Sequence, residues 1–372
     1  MRILHFFKTA QPDTVGGIEQ VIHQICQHSS NFGTTCEVLA LSRNPHPAVV
    51  EMNGYRVHRV KETFNIASTG FSVEAYAKFK ALSKDADLIH YHFPWPFMDV
   101  IHFASRTDKP CIVSYHSDIV NQKQLLKLYR PLQNKFLRSA DRIVVASPNY
   151  LESSEVLPPF RDKIRIIPIG VDKPSYPVPA PEVKAHWAEK IGGRFFLFVG
   201  VLRYYKGLHV LLEALKGTDY PLVIVGDGPK KNELLAQANE LGLNNVYFLG
   251  RLDDEDKVAL TQLATAVVFP SHLRSEAFGI TLVEGAMYGK PLISCEIGTG
   301  TTYINIANET GLVVPPEDPI ALRHAMKYLW DDPEEAENMG RNAHQRYLRL
   351  FSGELMVKAY TDLYKEILTE RQ

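Results

Sequence analysis

The chain has 372 residues, enough for two domains of ordinary size. Its 41 Lys+Arg against 42 Asp+Glu leave a net charge of −1, which argues against a dedicated nucleic-acid binder, because such a protein carries a basic excess. Four cysteines (Cys26, Cys36, Cys111, Cys295) show no metal-like spacing and suit a reduced cytosolic protein with buried thiols.

At the start, Ile3-Leu4-His5-Phe6-Phe7 is too short for the apolar core of a signal peptide and reads as a first buried strand. No apolar run approaches the roughly 18 residues of a transmembrane helix, so any membrane contact is expected to be peripheral. Strands are then predicted over Arg2–Phe7, Cys36–Ser42, Tyr55–Val60, Asp87–His92, Pro110–Tyr115, Arg142–Ser147 and Ile164–Pro168. Helical periodicity falls between several of them, as at Ile18–His28 and Val73–Ser83. Short β-rich runs alternating with helices mark βα units and parallel sheets. The window Gln124–Arg142 interleaves Lys127, Arg130, Lys135, Arg138 and Arg142 with leucines and Phe136. Pro131 makes it two short helices or one kinked helix. Its basic amphipathic face suits either solvent or anionic lipid head groups.

Pro174, Pro177, Pro179 and Pro181 crowd one segment that cannot continue a helix or a central strand, and it is read as a linker. The alternation restarts beyond it. Strands are expected at Phe195–Gly200, Pro221–Gly226, Asn245–Gly250, Ala266–Pro270, Pro291–Ser294 and Gly311–Val314. Helices are expected at Val210–Leu215, Lys231–Leu241, Asp254–Gln262, Ile280–Tyr288 and Ile320–Asp331. The fold class is therefore α/β, with two successive doubly wound, Rossmann-like domains. Such sheets bind ligands outside the carboxyl ends of their strands, so two facing domains are expected to share a cleft.

The chemistry concentrates at strand ends. Glu276 and Glu284 flank Phe278-Gly279-Ile280-Thr281-Leu282, where a helix is expected to open near Gly279. Helix N-terminal amides attract phosphate, and carboxylates accept hydroxyl hydrogen bonds, a pairing that suits a nucleotide-sugar. An acid at an ordinary helix start is the plainer alternative. Arg203 and Lys206, between Gly200 and Gly207, can neutralise a diphosphate. Gly16-Gly17 opens the first helix without a GxGxxG dinucleotide fingerprint. Gly226-Asp227-Gly228 and Gly250-Arg251 read as strand-end turns, the second with a backbone able to touch a base. His116, beside Asp118, can bind an acceptor or move a proton, or sit in a plain turn. His90 and His92 share one strand face, but no carboxylate completes a metal triad, so no metal site is expected.

Together these motifs resemble the retaining glycosyltransferases of family 4, with the GT-B fold, over nearly the whole chain. The most specific element is the E-x7-E signature, Glu276 to Glu284, combined with Gly200…Lys206-Gly207. The resemblance implies an acceptor-binding domain at 1–172 and a donor-binding domain at 173–353. It also implies a final helix within 354–372, about Glu354–Leu368, crossing back onto the first domain. It implies that Arg203 and Lys206 bind the donor diphosphate, Glu276 the transferred sugar, and Glu284 the ribose. Amides around Phe278, Gly279, Ile280, Thr281 and Leu282 would hold sugar and phosphate. Gly16 and Gly17 would lie by the diphosphate and acceptor, and His116 by the reacting sugar. Many relatives carry Gly-Gly-x-x-Glu where this chain reads Gly298-Thr299-Gly300-Thr301-Thr302-Tyr303-Ile304-Asn305. That variant, with His92-Phe93-Pro94-Trp95-Pro96-Phe97-Met98-Asp99, looks like bacterial O-polysaccharide mannosyl- and D-rhamnosyltransferases using GDP-sugars.

The implied reaction is metal-independent transfer of mannose from GDP-mannose, with retention and without a cofactor. Its acceptor would be an undecaprenyl-diphosphate-linked N-acetylhexosamine, at the inner face of the cytoplasmic membrane, in lipopolysaccharide O-antigen synthesis. GDP-D-rhamnose or a UDP-sugar are the alternative donors. A nucleotide-sugar epimerase, a phosphorylase, a dinucleotide-dependent oxidoreductase and a non-catalytic assembly scaffold are the competing classes. The domains are expected to close around the donor.

Overall fold

The computed structural model describes residues 1–66, 69–119 and 123–371. The chain divides into two compact units, Met1–Gly170 with Gly353–Gln372, and Val171–Ser352.

In the first unit the elements run β1 Arg2–Phe6, α1 Gly17–His28, β2 Thr35–Ser42, β3 Val49–Met52, β4 Tyr55–Lys61, β5 Phe64–Ile66, β6 Thr69–Phe71, α2 Val73–Asp85, β7 Leu88–Phe93, α3 Pro96–Ser105, β8 Cys111–Tyr115, α4 Lys123–Ser139, β9 Arg142–Val145, α5 Pro148–Ser153 and β10 Ile164–Ile166. The second unit holds α6 Pro181–Ile191, β11 Phe196–Val199, α7 Leu208–Leu215, β12 Leu222–Val225, α8 Lys231–Glu240, β13 Val246–Gly250, α9 Asp254–Leu263, β14 Ala266–Phe269, α10 Ile280–Met287, β15 Leu292–Cys295, α11 Thr301–Ile304, β16 Gly311–Val314, α12 Pro319–Asp331 and α13 Pro333–Leu350. The last helix, α14 Gly353–Glu370, returns to the first unit.

The first sheet has the order β10-β9-β8-β7-β1-β2-β4-β3 and is parallel apart from the β3–β4 hairpin. The second has the order β13-β12-β11-β14-β15-β16 and is parallel throughout. Strands covered on both faces read as continuous apolar runs, and Leu222-Val223-Ile224-Val225 is wholly buried. Apart from the β3–β4 hairpin at the edge, both orders reverse direction once, between β1 and β7 in one sheet and between β11 and β14 in the other. These are the topological switch points, where ligands bind in doubly wound folds.

Apolar faces close each sheet. In the first unit Ile22, Ile25 and Cys26 of α1 meet Met356, Tyr360, Leu363, Tyr364 and Ile367 of α14 over β1 and β2. In the second, α7, α8 and α12 cover one side of the sheet through Leu211, Leu234, Leu322 and Met326.

Several predicted boundaries shift. The proline-rich segment ends in a helix: Pro181 is the first residue of α6, where a missing N–H removes no intrahelical bond. Pro96, Pro148 and Pro333 open α3, α5 and α13 in the same way, three further helices absent from the predicted elements. β3 was also unforeseen. It joins β4 through Asn53-Gly54, with Gly54 at φ +88°. The basic window forms one continuous helix, α4, as far as Ser139, with Pro131 inside it, and Arg142 opens β9. Among the described residues no helix is long and apolar enough to cross a membrane.

Candidate functional site

In the second unit the predicted residues gather after the two central strands. Past β11 the chain turns at Arg203, makes one 3-10 turn over Tyr204–Lys206, and enters α7 through Gly207. Gly207 sits at φ +71°, and a β-carbon there would stand 1.9 Å from the Pro270 carbonyl oxygen. Only glycine lets the β11 loop lie this close to the chain leaving β14. The closeness sets up the central contact of the site: Lys206 Nζ donates to Glu276 Oε2 at 2.5 Å. Both side chains are largely buried, 11% and 12% exposed. The Lys206 ammonium also stands 4.6 Å from the Phe269 ring centre, and Ser271 Oγ donates to the same Glu276 oxygen at 3.4 Å.

Glu276 is held from behind by the Gly298–Asn305 segment. Gly300 N donates to Ala277 O at 3.0 Å, and Arg274 reaches Gly298 O at 3.1 Å. Asn305 is fully buried and ties this segment to Leu292 O, Ser294 Oγ and Leu312 O. The loop that departs from the common family pattern is thus the support of the Glu276 loop. Gly279, at φ +101°, opens α10 and leaves the first amides of Ile280 and Thr281 at the helix mouth. Phe278 and Leu282 are buried beside it.

Glu284 lies on the next turn of α10 and accepts from Tyr176 Oη at 2.7 Å. Burial pushes its carboxyl above the usual range, while Tyr176 and Lys257 pull the other way. Glu284 lines a cavity of about 110 Å³ with Tyr176, Val199, Lys257, Thr281 and Tyr288. Arg203 is exposed and lines a separate space of about 160 Å³ with Tyr204, His209 and Lys230. Arg251 is exposed past the edge strand β13, with no hydrogen bond or ion pair to these residues among the described ones. Sequence reasoning missed Tyr176 and the buried His272, whose ring meets Tyr204 and His209. Burial lowers the His209 and His272 pKa values.

In the first unit Gly16 caps α1 and Gly17 begins it. Lys8, just past β1, has its pKa lowered by burial, with Glu19 opposing. It lines a cavity of about 580 Å³ with Asp13, Ser42, Arg43, His46 and Arg59. His116 follows β8, and its Nε2 is 3.0 Å from His92 Nδ1. Burial pushes its pKa down to about 4. His5 on β1, which the sequence reading did not single out, pairs in register with His90. His5, His90 and His92 each bring a ring nitrogen within 4.8 Å of the others, and His5 stands equally close to the Cys26 and Cys36 sulfurs. All four cysteines are buried and free.

Comparison with known proteins agrees over both units. A model described as Glycosyltransferase Family 4 matches residues 15–173, and one described as Glycosyl transferases group 1 matches residues 180–346. The chain is 62% identical to the D-rhamnosyltransferase WbpZ of Pseudomonas aeruginosa, over 95% of this chain and 92% of that protein. It is 49% identical to the O-antigen chain mannosyltransferase C of Escherichia coli, over 100% of both. Among solved structures, sucrose-phosphate synthase from Thermosynechococcus elongatus superposes with a TM-score of 0.81 at 22% identity, covering 99% of each chain. With its two Rossmann-like units and these matches, the chain belongs to the family-4 glycosyltransferases of GT-B fold.

Proposed function

We propose that this hexosyltransferase moves one sugar of the mannose series, with retention, from a GDP-linked donor to an undecaprenyl-diphosphate-linked N-acetylhexosamine during O-antigen synthesis. The observation that carries the reading is the Lys206–Glu276 pair at the β11/β14 switch point. Without donor the two charges neutralise each other. A bound diphosphate would replace Glu276 as the partner of Lys206, with Arg203 as the second cation, and free Glu276 for sugar hydroxyls. Glu284 would take the ribose, the amides of Phe278–Leu282 the phosphate and sugar, and the Gly250-Arg251 backbone the base. Gly16 and Gly17 would lie beside the diphosphate and acceptor, and His116 beside the sugar.

Chemically, the bond from the anomeric carbon to the diphosphate oxygen breaks. The acceptor hydroxyl forms its bond on the same face, and its proton passes to the departing diphosphate oxygen. Lys206 and Arg203 stabilise the charge left there, so the reaction needs no metal. Membrane contact at the inner leaflet falls to α4, whose Leu125 and Leu128 are 54% and 81% exposed beside Lys127 and Arg130.

Mannose and D-rhamnose differ by one hydroxyl. The higher identity to the D-rhamnosyltransferase favours the second reading, GDP-D-rhamnose as donor. A transfer assay with polyprenyl-diphosphate-N-acetylglucosamine and EDTA tests all of this, offering GDP-mannose, GDP-D-rhamnose, UDP-glucose and UDP-N-acetylglucosamine separately. Product from a GDP-sugar supports the donor class and metal independence together. Product from a UDP-sugar alone overturns the donor assignment.

A further inference from the structure

Three histidine rings form a line through the switch point of the first unit. His116 Nε2 is 3.0 Å from His92 Nδ1, and His92 Nε2 is 3.0 Å from His5 Nδ1. His5 and His92 are fully buried. Among the described residues the far nitrogen, His5 Nε2, has no hydrogen-bond partner. At the near end His116 Nδ1 makes no hydrogen bond among the described residues. A fourth ring braces the line. His90 stacks on His92 with centroids 4.2 Å apart, and its nitrogens are clamped by Tyr364 Oη and Ser114 Oγ, each at 2.7 Å. Ser114 is bound in turn by Tyr360. The groups facing the line are therefore His90, Tyr360 and Tyr364, the Phe7 ring, and the Cys26 and Cys36 thiols, with no carboxylate among the described residues in a hydrogen bond to the three rings.

Protons in such a line can be counted. Three neutral imidazoles carry three N–H groups. Each of the two ring-to-ring contacts takes one, since two would clash and none would set lone pair against lone pair. The third proton sits at one end, on His116 Nδ1 or on His5 Nε2. On His5 it would be a buried N–H facing the Cys26 and Cys36 sulfurs, which are weak acceptors, whereas on His116 it faces the site. As a bare acceptor, His5 Nε2 can instead take a weak bond from a neighbouring thiol. Burial lowers the pKa of both His92 and His116, which keeps those rings neutral near pH 7.

We infer that His92 and His5 are positioning residues that lock His116 in its Nδ1–H tautomer, so that it presents a fixed hydrogen-bond donor to the transferred sugar. The inference rests on the proposal that His116 lies beside that sugar. A neutral donor can hold a hydroxyl or ring oxygen through the reaction without repelling the positive charge that develops on the sugar.

The test uses the full chain labelled with ¹⁵N-histidine and long-range ¹H–¹⁵N correlation. His116 is assigned as the ring lost in His116→Gln. Wild type should show Nδ1 protonated and Nε2 bare. His92→Phe should mix the two tautomers and lower kcat by about tenfold at unchanged donor KM, less than the 10²–10³ of losing a donor outright. His92→Gln, whose amide can accept from His5 and donate to His116, should restore both readouts. His5→Phe, which never touches His116, should mix the tautomers as well and guards against a misfolded first variant. A wild-type Nε2–H tautomer, or one unmixed by His92→Phe, overturns the wire. A mixed tautomer in His92→Phe with kcat unchanged there and in His116→Gln overturns the sugar contact and the positioning role with it.

Discussion

The two switch points have the same topology and opposite chemistry. In the second unit the carboxyl ends of β11 and β14 bring a cation and an anion together, Lys206 on Glu276. In the first, β1 and β7 bring together imidazoles, His5 and His92, joined to His116 past β8. A parallel sheet supplies a place for function there and leaves its nature to the side chains. Charge suits a diphosphate that leaves with more charge than it bore as an ester. Uncharged donors suit a sugar that turns partly cationic. On the proposed function the contrast is a division of labour, and each half can be broken separately.

The largest effect should come from the charged half. On the proposed mechanism Lys206→Ala removes a preorganised contact to the leaving group, so kcat should fall by about 10²–10³. The variant also leaves Glu276 with Ser271 as its one side-chain hydrogen-bond partner among the described residues. Breaking one side of a buried pair costs on the order of 3 kcal/mol. The double variant Lys206→Ala/Glu276→Gln should regain most of that stability and none of the activity. Single-turnover kinetics and urea unfolding measure the two separately. A single variant that turns over at the wild-type rate would remove the carrying observation of the proposed mechanism.

Gly207→Ala attacks the backbone beneath that pair. It combines a left-handed φ with a β-carbon 1.9 Å from a carbonyl oxygen. Strain and overpacking together should cost about 3 kcal/mol in urea unfolding. Donor KM should rise as the loops carrying Lys206 and Glu276 part. A variant as stable as wild type would show that the two loops do not need this approach.

Much of this was readable beforehand, and the misses have physical causes. The apolar runs fixed both sheets because parallel strands are buried on both faces. The helix that begins at Pro181 was lost because the prolines of that segment were read as breakers, although position N1 tolerates one; α3 and α13 also begin with proline. β3 was lost although Asn53-Gly54 is a strong hairpin signal. Lys206, Glu276 and Glu284 stood out by motif. Their pairing did not, since Lys206 and Glu276 are separated by 70 residues and Tyr176 and Glu284 by 108. His5 stayed hidden because a histidine in an apolar strand announces nothing until its register neighbour is known to be His90.

Acid should separate the two halves by sign. His116 has a folded pKa near 4, below the 6.5 of a free histidine. Its share of stability is present above pH 6.5 and is lost as pH falls toward 4. His116→Gln lacks that loss, so its stability relative to wild type should improve on acidification. Glu284 has a folded pKa raised above 4.5. Its buried carboxylate therefore opposes folding at neutral pH, and that burden lifts as pH falls through the folded pKa. Glu284→Gln should gain most over wild type near pH 7 and least in acid, while raising donor KM through loss of the proposed ribose contact. Urea midpoints between pH 7 and pH 4.5 check both. Differences of the same sign would mean that one of the two burials is misread.

The smallest effect concerns the surface of α4. Leu128 is 81% exposed and Leu125 54%, on a helix that also carries Lys127 and Arg130. An apolar side chain in water contributes nothing to the fold, so Leu128→Glu should leave urea unfolding within about 0.5 kcal/mol of wild type. On an anionic bilayer the same change removes buried apolar area and adds a repelled charge. Co-sedimentation with phosphatidylglycerol vesicles should drop severalfold, with transfer to a short-chain, water-soluble acceptor unaffected. Binding that survives Leu128→Glu and is indifferent to lipid charge would place α4 among ordinary solvated helices and send the search for the membrane contact to another face of the first unit.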